Sequence, residues 1–352
     1  AAPPTVQDAA WQAADWLIAG QYRDALESLR QATAARPQDF WAWFLQGVCH
    51  DRLAQDAEAI AAYNACAALW PDYPWSYYNR GLARLKQQQY AEARVDFDIA
   101  LRLQPAEADI YLHRALAWQG LAKPAEAVAD LTAALDRGAS PVRGHLLRAK
   151  ARAQAGDVAG AAADRERGLR APPRDEPDWL ARGLAQLPAD PQSALRDFKQ
   201  ALKLNPRSLP ALQNQAHVLA QDAAKTEEAI QVLTQAIELY PDYAPARSGR
   251  GILLARLGNR EKAHQDAQIA LLHDTRAPTL YQLAGIYALS SRDRPEDRLE
   301  AFRLLAAALR LGYGHDLIAT DRDLDPIRDT PEFRRLINGA QVPSPPPKLK
   351  VN

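Results

Sequence analysis

The sequence contains no methionine, initiator included, among its 352 residues, and only two cysteines, Cys49 and Cys66. Two thiols cannot build a disulfide framework or a cysteine zinc site, and both read as small buried residues. Neither charge is in excess, since 43 Lys and Arg balance 43 Asp and Glu. That balance gives no general attraction to nucleic acid or to an anionic membrane. No apolar run approaches the roughly 18 residues of a membrane span, and no stretch has the pattern of a signal peptide. The expectation is a cytoplasmic, monomeric chain with neither nucleic acid nor membrane as partner. The missing methionine, with the linker-like "AAPPT" and "VPSPPPKLKVN" at the two ends, leads us to expect a piece of something longer. Residues 1–5 read as linker and residues 340–352 as disordered tail.

What is present is a period. Arg80, Arg114, Arg148 and Arg182 are each 34 residues apart, and Arg250 lies twice 34 beyond Arg182. A proline closes each unit, at Pro37, Pro71, Pro105, Pro173, Pro206 and Pro241. A small residue stands five positions earlier, at Ala32, Cys66, Ala100, Gly168, Ala201 and Ala236. Another stands seven further back, at Ala25, Ala59, Ala93, Ala161, Ala194 and Ala229. In the first half of a unit, an aromatic residue precedes a small one by four, as in Trp43/Gly47, Tyr77/Gly81, Tyr111/Ala115 and Trp179/Gly183.

Apolar residues at spacings of three and four mark one face of a helix. The small residues let two helices approach closely, and the proline stops the second. Such a hairpin cannot bury its own apolar face and must stack on its neighbours. The pattern W-x2-x-G…Y…A-x3-F-x2-A…P, nearly complete in "YYNRGLARLKQQQYAEARVDFDIALRLQP", resembles the tetratricopeptide repeat (TPR). The resemblance implies an all-α fold, a right-handed superhelical solenoid of about nine hairpins over 6–313, with units starting near 6, 40, 74, 108, 142, 176, 209, 244 and 277. A short helical cap is expected over 314–339. In the second half, "NPRSLPALQNQAHVLA", "YPDYAPARSGRGILLARLG", "APTLYQLAGIYALSSR" and "TDRDLDPIRDTPEFRRLI" are similar to the C-terminal repeat region of large bacterial serine/threonine protein kinases. The chain itself has no Gly-rich phosphate loop, HRD-type catalytic loop or DFG.

Arginine at unit position 7 and aspartate at position 23 occur in the same five repeats: Arg80 with Asp96, Arg114 with Asp130, Arg148 with Asp164, Arg182 with Asp197 and Arg250 with Asp266. Each arginine is expected to fork onto the aspartate of its own hairpin, a structural role. A row of solvated charges is the alternative.

In the TPR family the concave wall is lined by first-helix residues at positions 2, 5, 6, 9, 12 and 13. The resemblance therefore implies a peptide groove containing Trp41, Phe44 and Leu45, then Trp75, Tyr78 and Asn79, with His113 and Asn214 at position 6 of later units. The aromatic density is confined to the early units, and we expect a contiguous patch there that anchors a peptide. The alternative is that these rings pack on one another and on "WPDYP". The Lys/Asn set of a two-carboxylate clamp is not found.

"DRDLDPIRDTPE" at 321–332 imitates a calcium loop, but Pro326 stands where the loop needs glycine. It reads instead as part of the cap, with Phe333 and Leu336 covering the last repeat. No cofactor, metal or catalytic set is called for. The function expected is a non-catalytic protein- or peptide-binding scaffold, the regulatory or targeting arm of a bacterial signalling kinase. A substrate-recognition arm of a glycosyltransferase or protease, and a spacer without groove ligand, are the alternatives.

Overall fold

The computed structural model describes residue 13 and residues 15–340, with side chains as far as 337. The linker expected at 1–5 and the tail expected beyond 340 lie outside the described residues. Among those residues every regular element is a helix. The chain is an all-α solenoid of tandem hairpins in two compact units, Ala1–Leu204 and Asn205–Asn352.

In the N-terminal unit, helical residues 15–18 precede Tyr22–Ala35. Five hairpins follow, each with a first (A) and a second (B) helix: Phe40–Arg52 with Asp56–Leu69, Pro74–Lys86 with Tyr90–Leu103, Ala108–Gly120 with Pro124–Asp136, Pro141–Gln154 with Val158–Arg170, and Glu176–Gln186 with Pro191–Leu204. In the C-terminal unit, Leu209–Ala220 pairs with Thr226–Leu239, Ala244–Arg256 with Arg260–His273, and Ala277–Ser290 with Arg298–Arg310. We number the hairpins one to nine along the chain.

Local chemistry sets the ends of these helices. Asp39, Ser140, Asp175 and Ser208 cap A helices, each side chain accepting a backbone N–H three residues on. Arg36, Trp70, Gln104 and Tyr240 end B helices at φ of −134°, −139°, −137° and −134°. A proline follows each of the four directly, so each is held out of the helical region. In several hairpins the A–B turn includes a left-handed residue. Glycine supplies it at Gly156 and Gly258, but Ala54, Gln88 and Ala122 adopt φ of 58°, 60° and 56°.

The core is shared between neighbours. Phe97, on the third hairpin's B helix, is fully buried against Tyr77 of its own A helix and Ile110 and Ala117 of the next. Where a B helix carries such a ring, the facing A-helix residue is glycine. A Cβ at Gly47 would lie 2.5 Å from Tyr63, and one at Gly81 2.7 Å from Phe97. The fourth hairpin has Ala115 and the smaller Leu131 instead, both fully buried.

The C-terminal segment, where a helical cap is expected over 314–339, is helical in part. Residues 315–320 are turns, and regular helix appears only as the short Arg322–Leu324, Asp325–Arg328 and Pro331–Ala340. The last helix runs to Ala340, the residue where tail was expected. Arg328 holds the turns by donating to the carbonyls of Ile318, Ala319 and Asp321. Phe333 is buried, and Leu336 packs beside it, against the core of the last two hairpins.

Candidate functional site

The five arginine–aspartate positions meet within their hairpins. Nε and Nη2 of each arginine face the two carboxylate oxygens: Arg80 to Asp96 at 3.1 and 2.6 Å, Arg114 to Asp130 at 2.8 and 2.6 Å, and Arg148 to Asp164 at 2.8 and 2.9 Å. Arg182 reaches Asp197 at 2.8 Å twice, and Arg250 reaches Asp266 at 2.7 and 2.8 Å. The aspartates are buried. Burial alone would raise the pKa of Asp164, but hydrogen bonds from Arg148 and His145 outweigh it and hold the carboxyl below the usual carboxylate range.

The remaining nitrogen does something the 34-residue pattern does not reveal. Nη1 of Arg80, Arg114, Arg148 and Arg250 donates back to the preceding hairpin, to Asn64, Asp98, Thr132 and Thr234 at 2.8, 2.9, 3.1 and 3.0 Å. Each guanidinium is thus a staple between hairpins as well as within one. In the second hairpin Gln46 replaces the arginine, and it too reaches back, to the Leu29 carbonyl and the Thr33 hydroxyl.

The early aromatic residues form two groups of rings. Trp41 is 52% exposed and stands 5.1 Å from Phe40, 5.9 Å from Phe44 and 5.7 Å from Tyr73 between centroids. Trp75 stands 5.5 Å from Tyr78, which lies 5.5 Å from His113 and 6.1 Å from Phe97. Phe40 and Tyr73 join the first group from outside the groove positions that the sequence singled out. Leu45 packs against the Leu26 and Leu29 core of the first hairpin. Asn79 is half-buried and makes no side-chain hydrogen bond among the described residues. His113 donates from Nδ1 to the Asp109 carbonyl at 2.7 Å and faces the Tyr78 hydroxyl at 3.1 Å. Burial lowers its pKa, so the imidazole is neutral at physiological pH.

A cavity of about 690 Å³ lies wholly in the C-terminal unit. Three successive A helices line it with residues of one stripe: Gln213, Asn214 and His217, then Gly249, Ile252 and Arg256, then Tyr281 and Gly285. The turns after the last hairpin close one end with Tyr313, Leu317, Asp321 and Asp323. Of the residues expected in a groove, Asn214 alone is among its walls. Its amide donates to the Pro210 carbonyl at 2.8 Å. Asp321 and Tyr313 escape a reading by period because they follow the last repeat.

Two groupings imitate chemistry without the geometry for it. His264 Nε2 is 3.0 Å from the buried Ser290 hydroxyl and 3.6 Å from Asp297, so serine and aspartate face the same ring nitrogen. A serine nucleophile needs them on opposite nitrogens, and the Ser290 hydroxyl already donates to the Ile286 carbonyl. In the acidic stretch 321–332, Asp321 caps a turn, Asp323 pairs with Arg256 and Asp325 with Arg328. Among the described residues no group of three or more His, Cys, Asp or Glu is placed to hold a metal, and no helix is long and apolar enough to cross a membrane.

Comparison with known proteins gives the fold a family setting. Residues 17–74 and 217–279 match one tetratricopeptide repeat model, and residues 74–107 match a second. No curated protein sequence matches the chain. A tetratricopeptide repeat protein from Parabacteroides merdae is similar in structure at 19% identity, over 62% of this chain and 86% of that one, with a TM-score of 0.52. The APC/C hetero-tetramer Cut9–Hcn1 is similar at 13% identity, over 90% of this chain and 59% of that one, with a TM-score of 0.51. MamA from Desulfovibrio magneticus RS-1 aligns at 19% identity over 48% of this chain and 96% of that one, with a TM-score of 0.46. At these identities the likeness is one of fold.

Proposed function

We propose that this chain, built of tetratricopeptide repeats, is a non-catalytic scaffold that holds a protein or peptide partner along its A helices. The observation that carries this reading is the cavity in the C-terminal unit, walled by one stripe from three successive A helices. Its size suits several residues of an extended peptide. The exposed face of Trp41, among Phe40, Phe44 and Tyr73, offers a second anchoring surface in the N-terminal unit, and Trp75, Tyr78 and Asn79 a third. Apolar rings with one open face are common anchors in protein interfaces.

A library of random peptides selected against the purified chain tests this. Selected peptides should bind the chain and lose about tenfold or more in affinity with Trp41→Ala, Trp75→Ala or Asn214→Ala. A chain that selects no peptide is better described as a spacer. The likeness of residues 205–337 to kinase C-terminal repeats supports a regulatory or targeting arm of a bacterial signalling kinase as the parent. A full-length protein with a kinase domain attached would support that parentage; one with a glycosyltransferase or protease domain would overturn it.

A further inference from the structure

We propose that the cavity of the C-terminal unit receives a positively charged side chain, lysine or arginine, from an extended peptide. This rests on the scaffold reading and adds the chemistry of what is recognised.

The charges lining the cavity do not cancel. Arg256 makes a two-point contact with Asp323, Nε and Nη2 donating at 2.8 and 2.9 Å, so that pair is neutral as a unit. Asp321 accepts the backbone N–H of Asp323 at 3.0 Å and takes part in no ion pair among the described residues. A half-buried carboxylate is therefore left without an ion pair of its own, because nearby Arg256 is committed to Asp323. Arg322, beside Asp321 in sequence, is exposed and is not among the cavity's walls, and Arg328 donates to backbone carbonyls and to Asp325. Among the residues lining the cavity the one arginine, Arg256, is committed, so an anionic ligand finds no free guanidinium in the walls, whereas a cationic one completes the balance.

Tyr281 supplies the independent observation. It is 5% exposed, it lines the cavity, and its hydroxyl lies beside the Asp321 carboxylate without a well-formed hydrogen bond. Buried hydroxyls are normally satisfied, and an orphan one marks a place where a partner is missing. Burial, with the Asp321 carboxylate beside it as a charge and a hydrogen-bond acceptor, disfavours its ionisation. An ammonium or guanidinium at this end can donate to the Asp321 carboxylate and to the Tyr281 oxygen together. The Tyr281 and Tyr313 rings, 5.7 Å apart and edge to face, add the π-faces on which a cation settles. Across the cavity, Asn214 donates to its own helix and keeps its side-chain oxygen for a peptide N–H. A side chain at Gly249 would meet only Leu233, at 3.6 Å, so peptide backbone can pass close to that helix.

Fluorescence anisotropy of the full chain with pools of end-blocked octapeptides decides the matter. All positions are randomised except one, fixed as Lys, acetyl-Lys or Glu. The Lys pool should bind about tenfold or more tightly than the other two. Asp321→Asn should remove that preference, and Gly249→Leu should block the cavity. Tyr281→Phe should weaken the Lys pool several-fold while the ligand-free chain keeps its melting temperature, because its hydroxyl makes no well-formed hydrogen bond in the free state. Equal binding of the three pools overturns the proposal, as does a Lys preference that survives Asp321→Asn and Gly249→Leu, or a loss of free-chain stability in Tyr281→Phe. Binding that depends on Trp41 and ignores charge would leave the scaffold reading standing and this one refuted. If no pool binds, this proposal fails, and the library selection separately decides the scaffold reading.

Discussion

Arg148 and Asp164 meet in a two-point contact, 2.8 and 2.9 Å long, with the carboxylate fully buried. Asp164 also forms an ion pair with Arg152 at 2.8 Å and accepts from His145 at 2.9 Å. Asp164→Ala would leave two guanidinium groups and an imidazole without their acceptor. It should cost the fifth hairpin about 3–5 kcal/mol, the scale of breaking a buried ion pair from one side. Asp197→Ala, whose carboxylate answers only Arg182, should cost less. Hydrogen exchange resolved by hairpin is the suitable measurement, because a repeat array unfolds in pieces.

The same carboxylate sets a pH dependence. The Asp164 pKa is lower in the folded chain than its ordinary value, so the unfolded chain binds the proton more tightly. Its contribution to stability is complete above about pH 4, the ordinary carboxylate range. It declines as pH falls from there through the lowered folded value. Asp274, held low by Arg276 and Thr279 against the effect of burial, acts in the same direction. Acid titration followed by hydrogen exchange should show the fifth hairpin weakening below pH 4, a dependence that Asp164→Asn flattens.

Gly81 faces Phe97 so closely that a Cβ would lie 2.7 Å from the ring. Gly81→Ala should destabilise the chain by about 1–3 kcal/mol through overpacking. Phe97→Leu in the same chain should recover part of that loss, since Ala115 and Leu131 already form that combination one hairpin on. A double-mutant cycle by denaturant unfolding should return a favourable coupling between the two changes.

Gln88 and Ala122 are exposed and hold left-handed turns at φ of 60° and 56°. Gln88→Gly and Ala122→Gly should each stabilise by about 0.5–1 kcal/mol, as relief of strain exceeds the extra freedom of the unfolded chain. The same change at Ala139, where φ is not positive, should not stabilise. Thermal denaturation of the three variants is sufficient.

The hairpins are legible in the sequence because stacking demands the same small, aromatic and closing residues in every unit. The arginine and aspartate positions are legible for a related reason: both partners recur together, so each marks the other. The backward reach of the same arginines is not, because Asn64, Asp98, Thr132 and Thr234 share only the ability to accept a hydrogen bond. The cavity is hidden for a different reason. Its closed end is made by Tyr313 and Asp321, which lie past the last repeat and which only the turn of the chain brings back against Tyr281. Aromatic content drew attention to the early units, whereas enclosure depends on how a segment without period folds back.

The backward staple is missing at one joint of the N-terminal unit. Where Arg182 would reach back, the residue in place is Glu166, which pairs with Arg170. The B helix of the fifth hairpin also touches the A helix of the sixth far less than at neighbouring junctions. The two A helices remain pinned there by Arg143, which donates to Asp178 at 2.9 Å and to Asp175 at 3.2 Å. The joint is therefore fastened firmly along one edge and lightly along the other, where Arg165 donates to the Ala185 carbonyl, like a hinged door on the latch. Bending compliance in this unit is expected to be greatest at that door, not spread evenly as in a uniform spring. A partner needing a different curvature would obtain it between Arg170 and Glu176, with the hairpins on either side moving as rigid leaves.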